Sequence, residues 1–239
     1  LSLKPDLIVT CAYGQFIPSK ILDIPPYKSV NVHASLLPKY RGGAPIHYAI
    51  LKGESKSGVT LMRMVKQMDA GPILFQSELD IEKNETMGTL HDKLMLCGSQ
   101  LLKEHFEDLF KSDLKEHPQD ENKATFSPTI TSEDEFVSFN RKSAEIVNHI
   151  NGLSPWPVAY GLLDTFKVKF YQAFAQDYQG HEKAGTILGL INGQLCIKTK
   201  DAMVCISDLQ LEGKKRMDAR SLWAGNAQSL QFKTFKETL

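Results

Sequence analysis

The chain has 239 residues, 42% apolar and 23% charged, with 28 basic and 28 acidic side chains and a formal net charge of zero. That length suits one large domain or two ordinary ones, and the composition is that of a globular chain. The balance excludes wholesale polyanion binding while leaving room for a local basic patch, and no apolar run nears the ~20 residues of a membrane span.

Lys4, Pro5 and Asp6 interrupt the start too early for a secretory signal. Leu7 to Cys11 then forms a short apolar run that predicts a central parallel strand covered on both faces. Ser29 to His33 predicts a second strand, Val59 to Val65 a third and Ile73 to Ile81 a fourth. Ala44 to Leu51 predicts a helix with Pro45 in its first turn, and the spacing of Leu90, Leu94, Leu101 and Phe106 predicts a helix from Thr86 to about Phe110. Strands alternating with helices make this an α/β domain with a mainly parallel sheet, over residues 1–112. It opens directly on a strand, without the strand-turn-helix unit that usually begins such a sheet. Its first strands are therefore expected to be missing and one strand edge unpaired.

Residues 113–131 are rich in Lys, Asp, Glu, Gln and Asn and read as a polar connector. Residues 132–239 begin with a short helix at Ser143 to Ile150, capped by Ser143, and turn mostly β from Val158. Phe166 to Phe170 alternates strictly, and Thr186 to Ile191, Gln194 to Thr199 and Met203 to Leu211 are further strands. Asn192-Gly193 is a hairpin signal, and several short strands joined by turns predict a small barrel.

Cys11, Cys97, Cys196 and Cys205 show neither a CxxC nor metal-ligand spacing with histidine. They predict buried thiols in a reducing, cytoplasmic setting; Cys196 and Cys205 could meet across a hairpin, but a disulfide is not the expected state.

Asn31 and His33 sit two residues apart on a predicted strand, so an amide and an imidazole share one face. A lone histidine is usually a satisfied core residue. Two polar groups on one face, followed by the loop Ser35-Leu36-Leu37-Pro38, point instead to a cleft. Asp69 lies in the tight turn Met68-Asp69-Ala70-Gly71-Pro72; an ordinary turn aspartate is the plain reading, and a carboxylate paired with His33 the functional one. No G-x-S-x-G elbow surrounds Ser35, and no ligand cluster supports a metal. Without a nucleophile, these three groups suit direct acyl transfer between two bound molecules. Asn31 and His33 would stabilise an oxyanion, and Asp69 would take a proton from an attacking amine.

Asn31 to Gly42 and Met68 to Pro72 closely resemble the folate-dependent formyltransferases. So do Ala12 to Pro18, Gly42 to Ile46, Gly58 to Met62 and Gly88 to Leu94. Gly152 to Pro157 and Leu209 to Met217 resemble the C-terminal domain of the branch that acts on charged initiator tRNA. The resemblance implies a Rossmann-like catalytic domain and an OB-like C-terminal barrel that binds tRNA. It also implies a monomeric cytoplasmic enzyme that moves a formyl group from 10-formyltetrahydrofolate to methionyl initiator tRNA, without metal or membrane. Asn31, His33 and Asp69 would be catalytic. Ser35, Leu36, Leu37 and Pro38, with Tyr13, Gly14, Gln15 and Ile17, would hold the folate. Arg41, Lys198, Lys200, Lys214, Lys215 and Arg216 would face tRNA; without the resemblance, the basic cluster reads as a solvated face. Family members carry a further segment ahead of this one, and Val137-Ser138-Phe139 departs from their usual Asp-Trp pair. The rivals are a formyltransferase for a small amine, such as a sugar nucleotide, and a non-catalytic tRNA or folate binder.

Overall fold

The computed structural model describes residues 3–238 and divides into two compact units. The first holds residues up to 49, 54–81 and 89–129; the second holds 50–53, 82–88 and 130 onward.

The first unit is built on β1 (Ile8–Cys11), β2 (Ser29–His33), β3 (Lys56–Arg63) and β4 (Ile73–Asp80), in that spatial order. Helices α1 (Ser19–Leu22) and α2 (Pro45–Leu51) lie between strands in sequence, and α3 (Met87–His105) follows them. β3 is buried from Ser57 to Arg63, and β2 alternates Val30 and Val32 with the polar Asn31 and His33. α3 turns Leu90, Leu94 and Leu101 inward, and its Gly98 comes close to Val32 and Val59.

Two expectations change here. Among the described residues β1 pairs only with β2, and it exposes Val9 and Cys11, so it is an edge strand there. Only β1 and β2 are parallel; β2–β3 and β3–β4 are antiparallel, so the sheet is mixed. An apolar run records burial on both faces but not strand direction. The short loop 64–72 between β3 and β4 leaves no room for a parallel crossover.

The second unit is an antiparallel sheet ordered β5 (Tyr160–Leu163), β6 (Phe166–Gln176), β9 (Met203–Leu211), β8 (Gln194–Lys198), β7 (Ile187–Ile191), with β10 (Met217–Asp218) on β9. Asn192 and Gly193 both take positive φ in the β7–β8 turn, the conformation a two-residue hairpin requires. Bulges interrupt the β6–β9 ladder near Gln172, and bulges bend strands. The buried Asn151 of α4 (Ser143–Gly152) fills that gap, accepting from the Ala173 N–H at 2.9 Å and donating to its carbonyl at 3.1 Å. Residues 232–236 then join the sheet's two ends. Phe232 N donates to Ile187 O of β7, and Lys236 N donates to Leu162 O of β5. Phe139, Phe170 and Phe235 pack edge-on or tilted in the core.

Three local details differ from expectation. α4 starts one residue after its cap, Lys142, and its Ser143 N–H is satisfied by the Asp201 carboxylate at 2.8 Å rather than by a serine cap. α5 (Ala219–Leu230) was not anticipated; Asp218 caps it by accepting from Ser221 N. Cys196 and Cys205 are cross-strand partners on β8 and β9 and form a disulfide, while Cys11 and Cys97 are free.

His149 of α4 is buried, with Nε2 donating to Asp134 O at 2.6 Å and Nδ1 accepting from Arg141 at 3.0 Å. Burial holds its pKa below the ordinary 6.5 despite the Asp134 carbonyl, and the Arg141 charge lowers it further. The unfolded chain then takes up a proton that the folded chain refuses. The stability tied to neutral His149 is full above the ordinary value and is lost as pH falls through it toward the lower folded value. Thermal melts taken from about pH 7.5 down to about pH 5.5, above the carboxylate range, should show a falling Tm, and His149→Gln should flatten that fall. Equal slopes for both proteins would disprove this account.

Candidate functional site

Asn31 and His33 lie on β2, beside Met62 and Thr60 of β3. The Thr10 hydroxyl of β1 donates to Asn31 Oδ1 at 2.9 Å, which leaves the amide NH2 as a donor for a ligand. His33 is 6% exposed, and its Nε2 lies 3.0 Å from the Tyr40 carbonyl. A carbonyl only accepts, so Nε2 carries the proton and Nδ1 faces the other way. There Asp69 Oδ2 stands 3.7 Å off, too far for a direct hydrogen bond and close enough for a shared water.

Asp69 arrives by an unexpected route. β3 runs antiparallel to β2, so its carboxyl end sits beside Val30, not beside His33. The loop 64–72 folds back, and Asp69 takes a left-handed φ of 50° within it. Its Oδ2 accepts from Gly42 N at 2.9 Å, tying the β3–β4 loop to the loop after His33.

That second loop is held throughout. The buried Ser35 hydroxyl donates to Lys39 O at 2.6 Å, and the Ser35 carbonyl accepts from Thr60 Oγ1 at 2.7 Å. Gln76 Nε2 donates to Leu37 O at 2.9 Å; Leu37 is buried, while Leu36 and Pro38 are half-buried. The Tyr40 hydroxyl donates to Glu54 at 2.7 Å, and burial together with that carboxylate pushes the phenol pKa up. The same bond, with help from Lys39, holds the Glu54 carboxyl below its usual range. Tyr13, Gly14 and Gln15 are exposed and Ile17 half-buried, in the segment after β1.

Residues 117–127 pack against these loops, which their polar composition did not foretell. His117 exchanges backbone bonds with Ile73, and Ser127 N donates to Arg41 O at 2.8 Å. Gln119 Nε2 donates to the carbonyls of Asp69 and Gly71, each at 2.8 Å. Arg41 is 1% exposed, its guanidinium held bidentately by Glu121 at 2.8 and 3.0 Å and its Nε donating to Gln119 at 3.0 Å. Three of its five N–H donors are taken by Gln119 and Glu121 and the side chain is enclosed, so in this arrangement Arg41 braces the loop rather than presenting a free cation at the surface.

The basic residues of the second unit also divide. Lys198 is 7% exposed and donates to Thr199 O and Ala202 O, so it too is withdrawn from the surface. Lys200 is exposed before β9 begins, whereas Lys214, Lys215 and Arg216 are exposed after β9 ends. At strand rise, that separates Lys200 from the others by roughly 25 Å. Arg216 stacks 4.2 Å over Tyr171 and pairs with Asp208 at 3.3 Å, and Gln210 holds the Lys214 carbonyl at 2.7 Å. The turn is thereby pinned with Lys214 and Lys215 outward. Among the described residues no cluster of His, Cys, Asp or Glu could hold a metal, and no helix is long and apolar enough to cross a membrane.

Two family profiles match the chain: formyl transferase over residues 1–105, and formyl transferase, C-terminal domain, over residues 129–227. Methionyl-tRNA formyltransferase of Macrococcus caseolyticus is 47% identical over 236 residues, which is 99% of this chain and 76% of that protein. Its Staphylococcus aureus (strain JH1) counterpart is 45% identical over 231 residues, 96% of this chain and 74% of that one. HypX from Aquifex aeolicus, solved in complex with tetrahydrofolic acid, shares the fold with a TM-score of 0.74 at 20% identity. The match covers 98% of this chain and 43% of HypX, so the chain spans under half of that protein.

Gly42 has φ 119°, and a Cβ there would stand 2.7 Å from Ser127 O. Gly42→Ala should therefore lower stability by about 1–3 kcal/mol and loosen the Asp69 contact. A thermal melt matching the parent would show that the loop gives way without cost.

Proposed function

The chain belongs to the methionyl-tRNA formyltransferase family, and on that premise we propose that it moves a formyl group from 10-formyltetrahydrofolate to the amino group of methionyl initiator tRNA, for translation initiation. The observation that carries the reading is the convergence of Asn31 and His33 on one strand with Asp69 from the β3–β4 loop, with no serine or cysteine nucleophile placed among them.

The amino nitrogen of methionine attacks the formyl carbon with its lone pair, forming the new C–N bond. The carbonyl π electrons move to oxygen. The Asn31 amide donates to that oxyanion, and His33 donates from Nδ1 when both ring nitrogens carry protons. Asp69 accepts the proton that the amine sheds, directly or through water. The C=O bond then re-forms, the bond from the formyl carbon to N10 of the folate breaks, and N10 takes a proton. No covalent enzyme intermediate is needed, in keeping with the absence of a nucleophile.

The loop Ser35-Leu36-Leu37-Pro38 and the segment Tyr13, Gly14, Gln15 and Ile17 form the folate subsite. Ser35 acts there through its backbone, since its hydroxyl is spent on Lys39. The first unit, with residues 117–127 packed on its loops, is the Rossmann-like catalytic domain, and 132–239 an OB-like barrel that binds tRNA. The seam made by residues 232–236 supports the barrel reading. The tRNA surface is the turn Lys214, Lys215 and Arg216, with Lys200 at a separate point; Arg41 and Lys198 are omitted because they are buried. The enzyme works as a cytoplasmic monomer.

Formyl transfer from 10-formyltetrahydrofolate to methionyl initiator tRNA by the full-length protein tests the reaction. His33→Ala should cut kcat on the order of a hundredfold or more. Transfer to a small amine instead, or to neither acceptor, would overturn the reading. Reversing Lys214 and Lys215 to Glu should raise KM for charged tRNA, leave folate KM unchanged and reduce the salt slope of tRNA binding by about 2. An unchanged tRNA KM would remove this turn from the interface.

A further inference from the structure

Gln119 lies far from the catalytic trio in sequence and touches none of the three functional side chains. Its contacts nevertheless fall on the β3–β4 loop that delivers Asp69 and on the loop that follows His33. The primary amide has two N–H donors, and both are used, one on Asp69 O and one on Gly71 O. Its oxygen takes the Nε–H of Arg41, whose next residue, Gly42, donates to Asp69 Oδ2. The result is a closed path: Gln119 to the Asp69 backbone, the Asp69 carboxylate to Gly42, and Arg41 back to Gln119.

Asp69 needs such support. A non-glycine residue at φ 50° sits in a costly region that persists only where its surroundings over-determine it. The Gln119 NH2 fastens the carbonyls on either side of Ala70 and so fixes the turn from which the carboxylate projects. The anchor is itself rigid. Arg41 is buried and bidentate to Glu121, and that bond holds the Glu121 carboxyl below its usual range. Asparagine is shorter by one carbon, and glutamate has no donors to offer.

We propose that Gln119 is a positioning residue for the formyl-transfer reaction: it sets the Asp69 carboxylate against Gly42 N and His33 Nδ1. The inference rests on the function proposed above. Gln119→Glu tests the positioning. The carboxylate keeps an acceptor for Arg41 Nε, so the anchor survives, but it presents oxygen rather than N–H to the Asp69 and Gly71 carbonyls. Gln119→Ala removes both contacts.

In the full-length protein, Gln119→Glu should lower kcat roughly tenfold to a hundredfold, with KM for the folate donor and for charged tRNA within about twofold of the parent. Its Tm should fall as well, because two carbonyls lose their donors, so kcat is taken per folded protein, and the Gly42 amide should exchange with solvent faster. Gln119→Ala should show the same loss of kcat with a lower Tm. Parental kcat in Gln119→Glu, or a Gly42 amide as protected as before, would overturn the proposal. So would a loss of activity no larger than the loss of folded protein. If the parent moves no formyl group to any acceptor, the reaction reading fails by itself, and Gly42 exchange still decides whether Gln119 holds Asp69.

Discussion

A buried guanidinium must be paired, and the pairing of Arg41 organises the first unit around its candidate site. Removing a cation from water is tolerable only when its donors are taken up by well-placed acceptors. Here the acceptors come from Gln119 and Glu121, some eighty residues away. Satisfying Arg41 therefore draws residues 117–127 onto the loop that follows β2. Once there, the same segment bonds to Ile73, Tyr40, Asp69 and Gly71. One electrostatic requirement thus couples the β2 loop, the β3–β4 loop and a polar stretch that would otherwise be free in solvent.

The coupling matters because the trio is assembled from parts with no intrinsic reason to meet. β2 alone orients Asn31 and His33, through strand period and through contacts with Thr10 and the Tyr40 carbonyl. Asp69 has no such strand to rely on. Its loop leaves the sheet beside Val30 and must return. Its carboxylate accepts from Gly42 N and its carbonyl from Gln119, both tied to Arg41. Placement of the Asp69 carboxylate thus depends on contacts distant in sequence.

What could be read from the sequence follows the same division between local and distant causes. β2 was legible because Ser29 to His33 carries its own period, and the Asn192-Gly193 turn because its two positive φ values are demanded locally. The direction of β3 was not, since an apolar run reads alike whether its neighbour runs up or down. Residues 113–131 look solvated because their polar side chains are indistinguishable by composition from those of a linker; only the fold reveals that Gln119 and Glu121 have partners. Arg41 and Lys198 differ from the exposed basic residues for the same reason: sequence alone does not distinguish an exposed cation from one enclosed at 1% or 7% exposure. α5 did leave a signal, an aspartate three residues ahead of a serine, but the β pattern of the preceding strands overshadowed it.

The second unit applies a related economy to its surface. Lys198 donates to backbone carbonyls and lies near Tyr178, so its charge is spent on closing the β8–β9 turn. Arg216 is spent in part on Asp208 and Tyr171, which fix the turn after β9. Lys214 and Lys215 emerge from that braced turn with their ammonium groups outward. A rigid backbone carrying flexible point charges suits a partner whose phosphates are regularly spaced but whose bases are not being read. In each unit, then, one arginine braces the loop that carries it: Arg41 through Gln119 and Glu121, and Arg216 through Asp208 and Tyr171.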